Sequence, residues 1–245
     1  MTTHTNTVLI TGASSGIGLD VARGFLEKGS NVVLNARNSE KLTAAAQALG
    51  DESRIALVPG DIGHKETGKK MVYVAVNQFG SVDVLVNNAG IFGVKPFLES
   101  TEEDLDKYVG INLKGTYFVT QAAVRQMKKQ GSGNIVNIGT VLLMHSKAGI
   151  PASAALITKA AMHALTISLS SELAADNIRV NTVAPGIIRT PIYGEADVDA
   201  FGGVALMNRV GEVQEITEAV IHLATASFTT GVIMPVDGGY VYGRA

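Results

Sequence analysis

Short apolar, β-branched runs recur along this chain and alternate with longer stretches whose apolar positions fall at helical spacing. Residues 7–11, 31–36, 54–58, 82–87, 134–138, 179–183 and 231–236 read as strands. Residues 16–29, 38–49, 65–79, 102–129, 152–176 and 212–225 read as helices, the fourth opened by Thr101 ahead of Glu102, Glu103 and Asp104. Val82-Asp83-Val84-Leu85-Val86 and Ile135-Val136-Asn137-Ile138 are largely apolar without alternation, as suits strands covered on both faces. Connections this long favour parallel crossovers over hairpins. The predicted fold is therefore α/β: one domain over 1–245, doubly wound, with a seven-stranded parallel sheet and helices on both faces. Residues 186–210, interrupted by Pro191, Gly194, Gly202 and Gly203, fit no element and read as a substrate lid.

Composition narrows the function. With 46% hydrophobic and 17% charged residues and 27 glycines, the chain is of globular type. A formal charge of -2, with Lys and Arg scattered rather than clustered, argues against a nucleic-acid partner. There is no cysteine, and the five histidines (His4, His64, His145, His163, His222) are far apart, so no metal site is expected. No apolar stretch reaches the roughly 20 residues of a membrane span and no signal-peptide core is present, which predicts a cytoplasmic protein without membrane contact.

Thr11-Gly12-Ala13-Ser14-Ser15-Gly16-Ile17-Gly18 lies between the first strand and the first helix. Glycines there permit a tight turn, close backbone approach to a pyrophosphate, and free amides aimed at its charge. Further motifs follow in order: Asp61-Ile62 after the third strand, Asn87-Asn88-Ala89-Gly90 after the fourth, Lys159 in a long helix, Pro185-Gly186-Ile187-Ile188-Arg189-Thr190 after the sixth, and Val236-Asp237-Gly238-Gly239 near the end. In this spaced set the chain resembles the short-chain dehydrogenase/reductase family over nearly its whole length.

The resemblance implies a Rossmann fold binding a nicotinamide dinucleotide. Gly12, Ser14, Ser15, Gly16, Ile17 and Gly18 would hold its pyrophosphate, Asp61 and Ile62 its adenine, and Asn88, Ala89 and Gly90 would line it. Pro185, Gly186, Ile188 and Thr190 would carry the nicotinamide end, and Lys159 the ribose. The second strand ends Asn35-Ala36-Arg37-Asn38, without the acidic residue that accepts bonds from a ribose diol. Arg37 suits a 2′-phosphate instead, so NADP is favoured over NAD, although Ser15 stands where many NADP-using relatives have a second basic residue. The resemblance also implies a homotetramer, with helices 102–129 and 152–176 across one interface.

The family's proton donor is a tyrosine four residues before the lysine. Here that position is Ala155, and no tyrosine occurs between Tyr117 and Tyr193. The family serine that polarises the carbonyl has Thr140 as its best match, fifteen residues before Ala155 rather than the usual thirteen, which would fall on Leu142. The loop 141–150 is therefore expected to be rebuilt. Asn112 matches the family asparagine that bends its helix and holds a water beside the lysine. Candidate substitutes for the acid are His145, whose unperturbed pKa is the most suitable, Ser146, Ser153, Tyr193, or a water beside Lys159.

Three functions follow as expectations. The first is an NADP-dependent oxidoreductase on a small, mainly apolar carbonyl or alcohol, with Thr140, Lys159 and Asn112 in catalytic roles and an atypical acid. The second is a dinucleotide-binding sensor or partner subunit without hydride chemistry. The third is elimination or isomerisation on the same scaffold. The substrate wall is expected from Ile91, Phe92, Leu142, Leu143, Met144, Ile187, Tyr193, Phe201, Leu206 and Met207.

Overall fold

A computed structural model describes residues 6–146 and 149–243. Seven strands form one parallel sheet: β1 (Thr7–Thr11), β2 (Asn31–Ala36), β3 (Ile55–Pro59), β4 (Val84–Asn87), β5 (Gly133–Ile138), β6 (Ile178–Pro185) and β7 (Ile233–Val236). Their spatial order is β3-β2-β1-β4-β5-β6-β7. The winding reverses at β1, which pairs with β2 on one side through Leu9 and Val33 and with β4 on the other through Leu9 and Leu85. Such a reversal opens a crevice at the carboxyl ends of the strands.

Helices α1 (Gly16–Glu27), α2 (Ser39–Leu49), α3 (Lys65–Phe79), α4 (Glu102–Tyr108), α5 (Thr116–Gln130), α6 (Ser153–Glu172) and α7 (Val213–Thr225) cover the two faces. Val8 and Ile10 pack into one core with Val21 and Phe25 of α1 and Ile216 and Val220 of α7. Leu9, between them, points into the opposite core with Met71 of α3 and Val119 and Met127 of α5. Successive residues of one strand are thus buried on opposite sides, the physical reason for its unalternating sequence.

β1, β2 and α3 have the expected bounds, and the other elements end within two residues of theirs, except for two helices that differ in kind. The stretch expected as one helix over 102–129 is two α-helices joined by a π-helical segment, Val109–Gly115. The helix expected over 152–176 stops at Glu172 and tightens to a 3-10 turn at Ala174–Asp176. Thr101 caps α4 reciprocally: the Asp104 amide donates to Thr101 Oγ1 and the Thr101 amide to Asp104 Oδ2. The segment 186–210 carries two 3-10 turns, Pro191–Tyr193 and Val198–Val204, and Ile188 bridges Gly211. No helix among the described residues is long and apolar enough to cross a membrane.

Candidate active site

Two cavities meet where the loops after β1, β4, β5 and β6 converge. The first, of about 490 Å³, runs from Arg37, Asn38 and Lys41 past Gly12, Ser14, Ser15, Gly16 and Asp61 to Asn88, Gly90, Lys159 and Thr190. The second, of about 580 Å³, continues from Lys159 and Thr190 between the 139–150 loop and the segment after β6.

The backbone leaves room for a ligand in the first cavity. Gly12 has φ +67°, and a Cβ there would stand 2.8 Å from Ala89 Cα and 2.9 Å from Asn88 Nδ2. Only glycine fits that approach. Asn88 fastens the loop, its Nδ2 donating to the carbonyls of Thr11 at 2.9 Å and Gly12 at 3.1 Å. Thr11 Oγ1 accepts from the amides of both Asn88 and Ala89 at 3.0 Å. Helix α1 begins beyond Ser15 with no side-chain cap and no acidic residue in its first turn, so its amides remain available to an anion. Asp61 accepts the Gly63 amide at 2.8 Å through Oδ1, which fixes its carboxylate at the cavity edge. Ile62 is buried beneath Gly115, where a Cβ would stand 2.7 Å from Ile62 Cγ1. A long crevice with a glycine turn and bare amides at its centre and polar groups at its ends fits a dinucleotide.

Asn38 has a structural duty, accepting the Lys41 amide at 2.8 Å as the cap of α2. That cap places Lys41 with the exposed Arg37 at one end of the first cavity, so two cations share that rim. Neither has an ion-pair partner among the described residues. Sequence spacing gives no cue to Lys41, because only the capped turn of α2 directs it inward.

Asn112 sits in the π-helical segment, fully buried. Its Oδ1 accepts the Ile91 amide at 2.9 Å, while Nδ2 donates to the Ile91 carbonyl at 3.0 Å and to Thr158 Oγ1 at 3.1 Å. A Cβ on Gly90 would lie 3.2 Å from Asn112 Oδ1 and 3.7 Å from Lys159 Nζ, so both groups face the same bare backbone. Lys159 lines both cavities, and loss of hydration pulls its ammonium down to about 8. One turn further along α6, His163 is held below its ordinary pKa by burial and by the charge of Lys159. Its Nε2 is buried against Gly139 with no hydrogen-bond partner among the described residues. No sequence motif points to it.

Thr140 lines the second cavity and caps the 3-10 turn Val141–Leu143, its Oγ1 accepting the Leu142 amide at 3.3 Å. The hydroxyl proton stays free to donate into the cavity. Pro185 ends β6, and Gly186, Ile188 and Thr190 follow it, with Gly186 against Asp237: a Cβ there would stand 2.8 Å from Asp237 Cα. Of the expected substrate wall, Phe92, Leu142, Ile187, Tyr193 and Phe201 line the second cavity, joined by Val141, Ile150, Ile192 and Tyr240. Ile91 faces the first cavity. Leu143, Met144, Leu206 and Met207 line neither, and the last three are exposed at 42%, 52% and 62%.

The candidate acids are not brought together. His145 packs edge-on against Tyr240, ring centroids 6.1 Å apart, and lines neither cavity. Ser146 and Ser153 also lie outside both linings. Tyr193 reaches the second cavity from the 3-10 turn after β6, packed 6.4 Å from Phe201, and burial raises its phenol pKa. Ala155 is 1% exposed and lines neither cavity. In the expected rebuilt loop, residues 147 and 148 lie outside the described part.

Known proteins share this fold. The chain is 37% identical over 241 residues to a 3alpha-hydroxysteroid dehydrogenase of Mediterraneibacter gnavus, covering 94% of each. It is 35% identical to a 3-oxoacyl-[acyl-carrier-protein] reductase of Thermotoga maritima, covering 95% of this chain and 96% of that one. A short-chain type dehydrogenase/reductase from Mycobacterium marinum superposes with a TM-score of 0.91 at 32% identity, over 96% of this chain and 95% of the other. A 3-ketoacyl-(acyl-carrier-protein) reductase from Brucella melitensis, complexed with NADH, gives 0.91 at 30% identity, over 96% and 98%. The family model for short chain dehydrogenases matches residues 6–200. With its parallel sheet, glycine turn and Lys159 in the places described, the chain belongs to the short-chain dehydrogenase/reductase family of NAD(P)-binding oxidoreductases.

Proposed function

We propose that this chain is an NADP-dependent oxidoreductase of the cytoplasm that interconverts a small, mainly apolar carbonyl compound and its alcohol, using a proton donor other than tyrosine. The observation that carries the reading is the meeting of a dinucleotide-shaped crevice and an apolar cavity at Lys159 and Thr190, with the Thr140 hydroxyl free to polarise an oxygen. A nicotinamide dinucleotide would supply the hydride. Gly12 and the α1 amides would hold its pyrophosphate, Asp61 its adenine, and Lys159 its ribose. Arg37 and Lys41 together favour a 2′-phosphate over a bare diol.

The second cavity is walled by aliphatic and aromatic side chains, which favours a modest apolar substrate over a highly charged one. Segment 186–210, which places Ile187, Tyr193 and Phe201 on that wall, is its lid. Exposed Leu105, Leu113 and Tyr117 on the α4–α5 helix and Ile157 and Ile167 on α6 support assembly through these helices as a homotetramer.

A second reading, a dinucleotide-binding sensor or partner subunit without turnover, draws on the buried methyl of Ala155 at the position where the family pattern has a tyrosine. NADPH and NADH titrations followed by oxidation assays against a panel of apolar ketones and aldehydes separate the two. Tighter NADPH binding with oxidation supports the enzyme. Binding with no oxidation by any carbonyl favours the sensor.

A further inference from the structure

We propose that Lys159 is itself the proton donor, its ammonium protonating the substrate oxygen without a tyrosine between them. This deepens the oxidoreductase reading and rests on it.

Of the described residues shared by the two cavities, Ile17, Ile138, Lys159, Thr190 and Ile192, Lys159 is the one with an ionisable group. The chain has no phenol at the turn before it, and Ala155 is buried outside both linings. The residues that sequence alone offers as substitutes are elsewhere or poorly suited. His145 rests on Tyr240, and Ser146 and Ser153 lie off the cavities. Tyr193 and Tyr240 reach only the second cavity, and burial makes each a weaker acid than a free phenol.

Nothing ties the ammonium down. Among the described residues no carboxylate pairs with it and no side chain accepts its protons, unlike Lys69, Lys95 and Lys128, each held by an acidic partner at the surface. Among the described residues the titratable groups around it are Arg37, Lys41 and Asp61 in the first cavity, Tyr193 and Tyr240 in the second, and His163 on its own helix. Desolvation is what lowers its pKa, to about 8, where an ammonium releases a proton far more readily than an ordinary lysine.

The step balances. As the hydride of a reduced nicotinamide bonds to the carbonyl carbon, the C=O π pair moves to oxygen, one Nζ–H bond of Lys159 breaks, and its proton bonds to that oxygen. The product is the alcohol, the cofactor is left oxidised, and the neutral amine is reprotonated from bulk solvent, which supplies the one proton the reduction consumes. Thr140 Oγ1 donates to the same oxygen, and Asn112, facing Gly90 beside Nζ, holds the Ile91 amide next to it.

The test combines a direct titration with single-turnover kinetics on the full chain. In protein carrying ¹³Cε-labelled lysine, the resonance absent from Lys159→Arg identifies Lys159, and its midpoint without cofactor is expected near 8. The rate of NADPH oxidation by a reducible ketone is expected to be level below about pH 8 and to fall tenfold per unit above it. Lys159→Arg keeps a charge for the ribose but holds its proton, so it should bind NADPH yet lose about 10²- to 10⁴-fold in rate, with the pH break gone. Lys159→Ala should recover rate with small primary ammonium ions, the more acidic ones rescuing better at a pH where all are protonated. A Lys159 midpoint above 10, a Lys159→Arg rate equal to wild type, or a pH break that persists in Lys159→Arg overturns the proposal alone. Wild type that binds NADPH and reduces no carbonyl overturns the underlying reading and the proposal with it.

Discussion

Asn112 Nδ2 donates to Thr158 Oγ1 at 3.1 Å, which ties the π-helical turn between α4 and α5 to the helix that carries Lys159. Thr158 in turn donates to the Ala155 carbonyl at 2.9 Å, and the other Asn112 contacts clasp both backbone groups of Ile91. The side chain is fully buried, so replacing it with alanine leaves the Ile91 amide and carbonyl without partners. Asn112→Ala should cost about 1–3 kcal/mol of stability, read as a lower urea midpoint with unchanged slope.

Gly12 allows a second prediction, which separates backbone from charge. Gly12→Ala would place a methyl 2.8 Å from Ala89 Cα at φ +67°, where no flexible side chain can yield. Dinucleotide affinity should fall at least tenfold for NADPH and NADH alike, with a stability loss of about 1–3 kcal/mol. Equilibrium fluorescence titration and thermal unfolding read both effects.

Arg37→Ala should instead discriminate between the cofactors. Loss of one charge-assisted contact to a 2′-phosphate corresponds to about 1.5–3 kcal/mol, or about 10- to 100-fold weaker NADPH binding, with NADH binding within about twofold of wild type. Lys41→Ala should act in the same direction and more weakly, because its backbone amide, not its side chain, serves the Asn38 cap. Equal losses for both cofactors would argue against a phosphate at this rim.

Lys159 also makes stability depend on pH. Its pKa is about 8 in the folded chain against 10.5 for an ordinary lysine. Between those values the unfolded chain binds more protons, so this residue's contribution makes the fold more stable as pH rises. Below about pH 8 the penalty of a desolvated ammonium is fully present, and above 10.5 it is gone. Lys159→Met should therefore be more stable than wild type at pH 7, by about 1–3 kcal/mol, with the gap closing between pH 8 and 10.5. Urea unfolding of both proteins at pH 7 and pH 10 measures it.

His145 faces Tyr240 rather than substrate. The His145→Asn protein is expected to turn over within about twofold of wild type, as a residue outside the proton path should. A rate loss of a hundredfold would place the imidazole in that path.

The sheet was readable from the chain because Val8, Leu9 and Ile10 belong to a strand buried on both sides, a pattern that burial imposes directly. The glycine turn was readable because Gly12 is fixed by backbone geometry alone. The π-helical turn at Val109–Gly115 was not, since its extra residue per turn leaves the composition of an ordinary helix unchanged. Nor was the placement of His145, Leu206 and Met207, which depends on how the loops after β5 and β6 fold back over the sheet. Local propensity in these loops is weak, and contacts distant in sequence, such as the Met207 amide to the Gly238 carbonyl at 2.9 Å, decide their course.

The most direct measurement is deuterium transfer. Wild-type protein incubated with NADPH carrying two deuteriums at nicotinamide C4 and an apolar ketone is expected to yield alcohol bearing one deuterium on the former carbonyl carbon, detected by mass spectrometry. Bound NADPH with no deuterium in any product, or a converted substrate without the label, would contradict hydride transfer at the junction marked by Lys159.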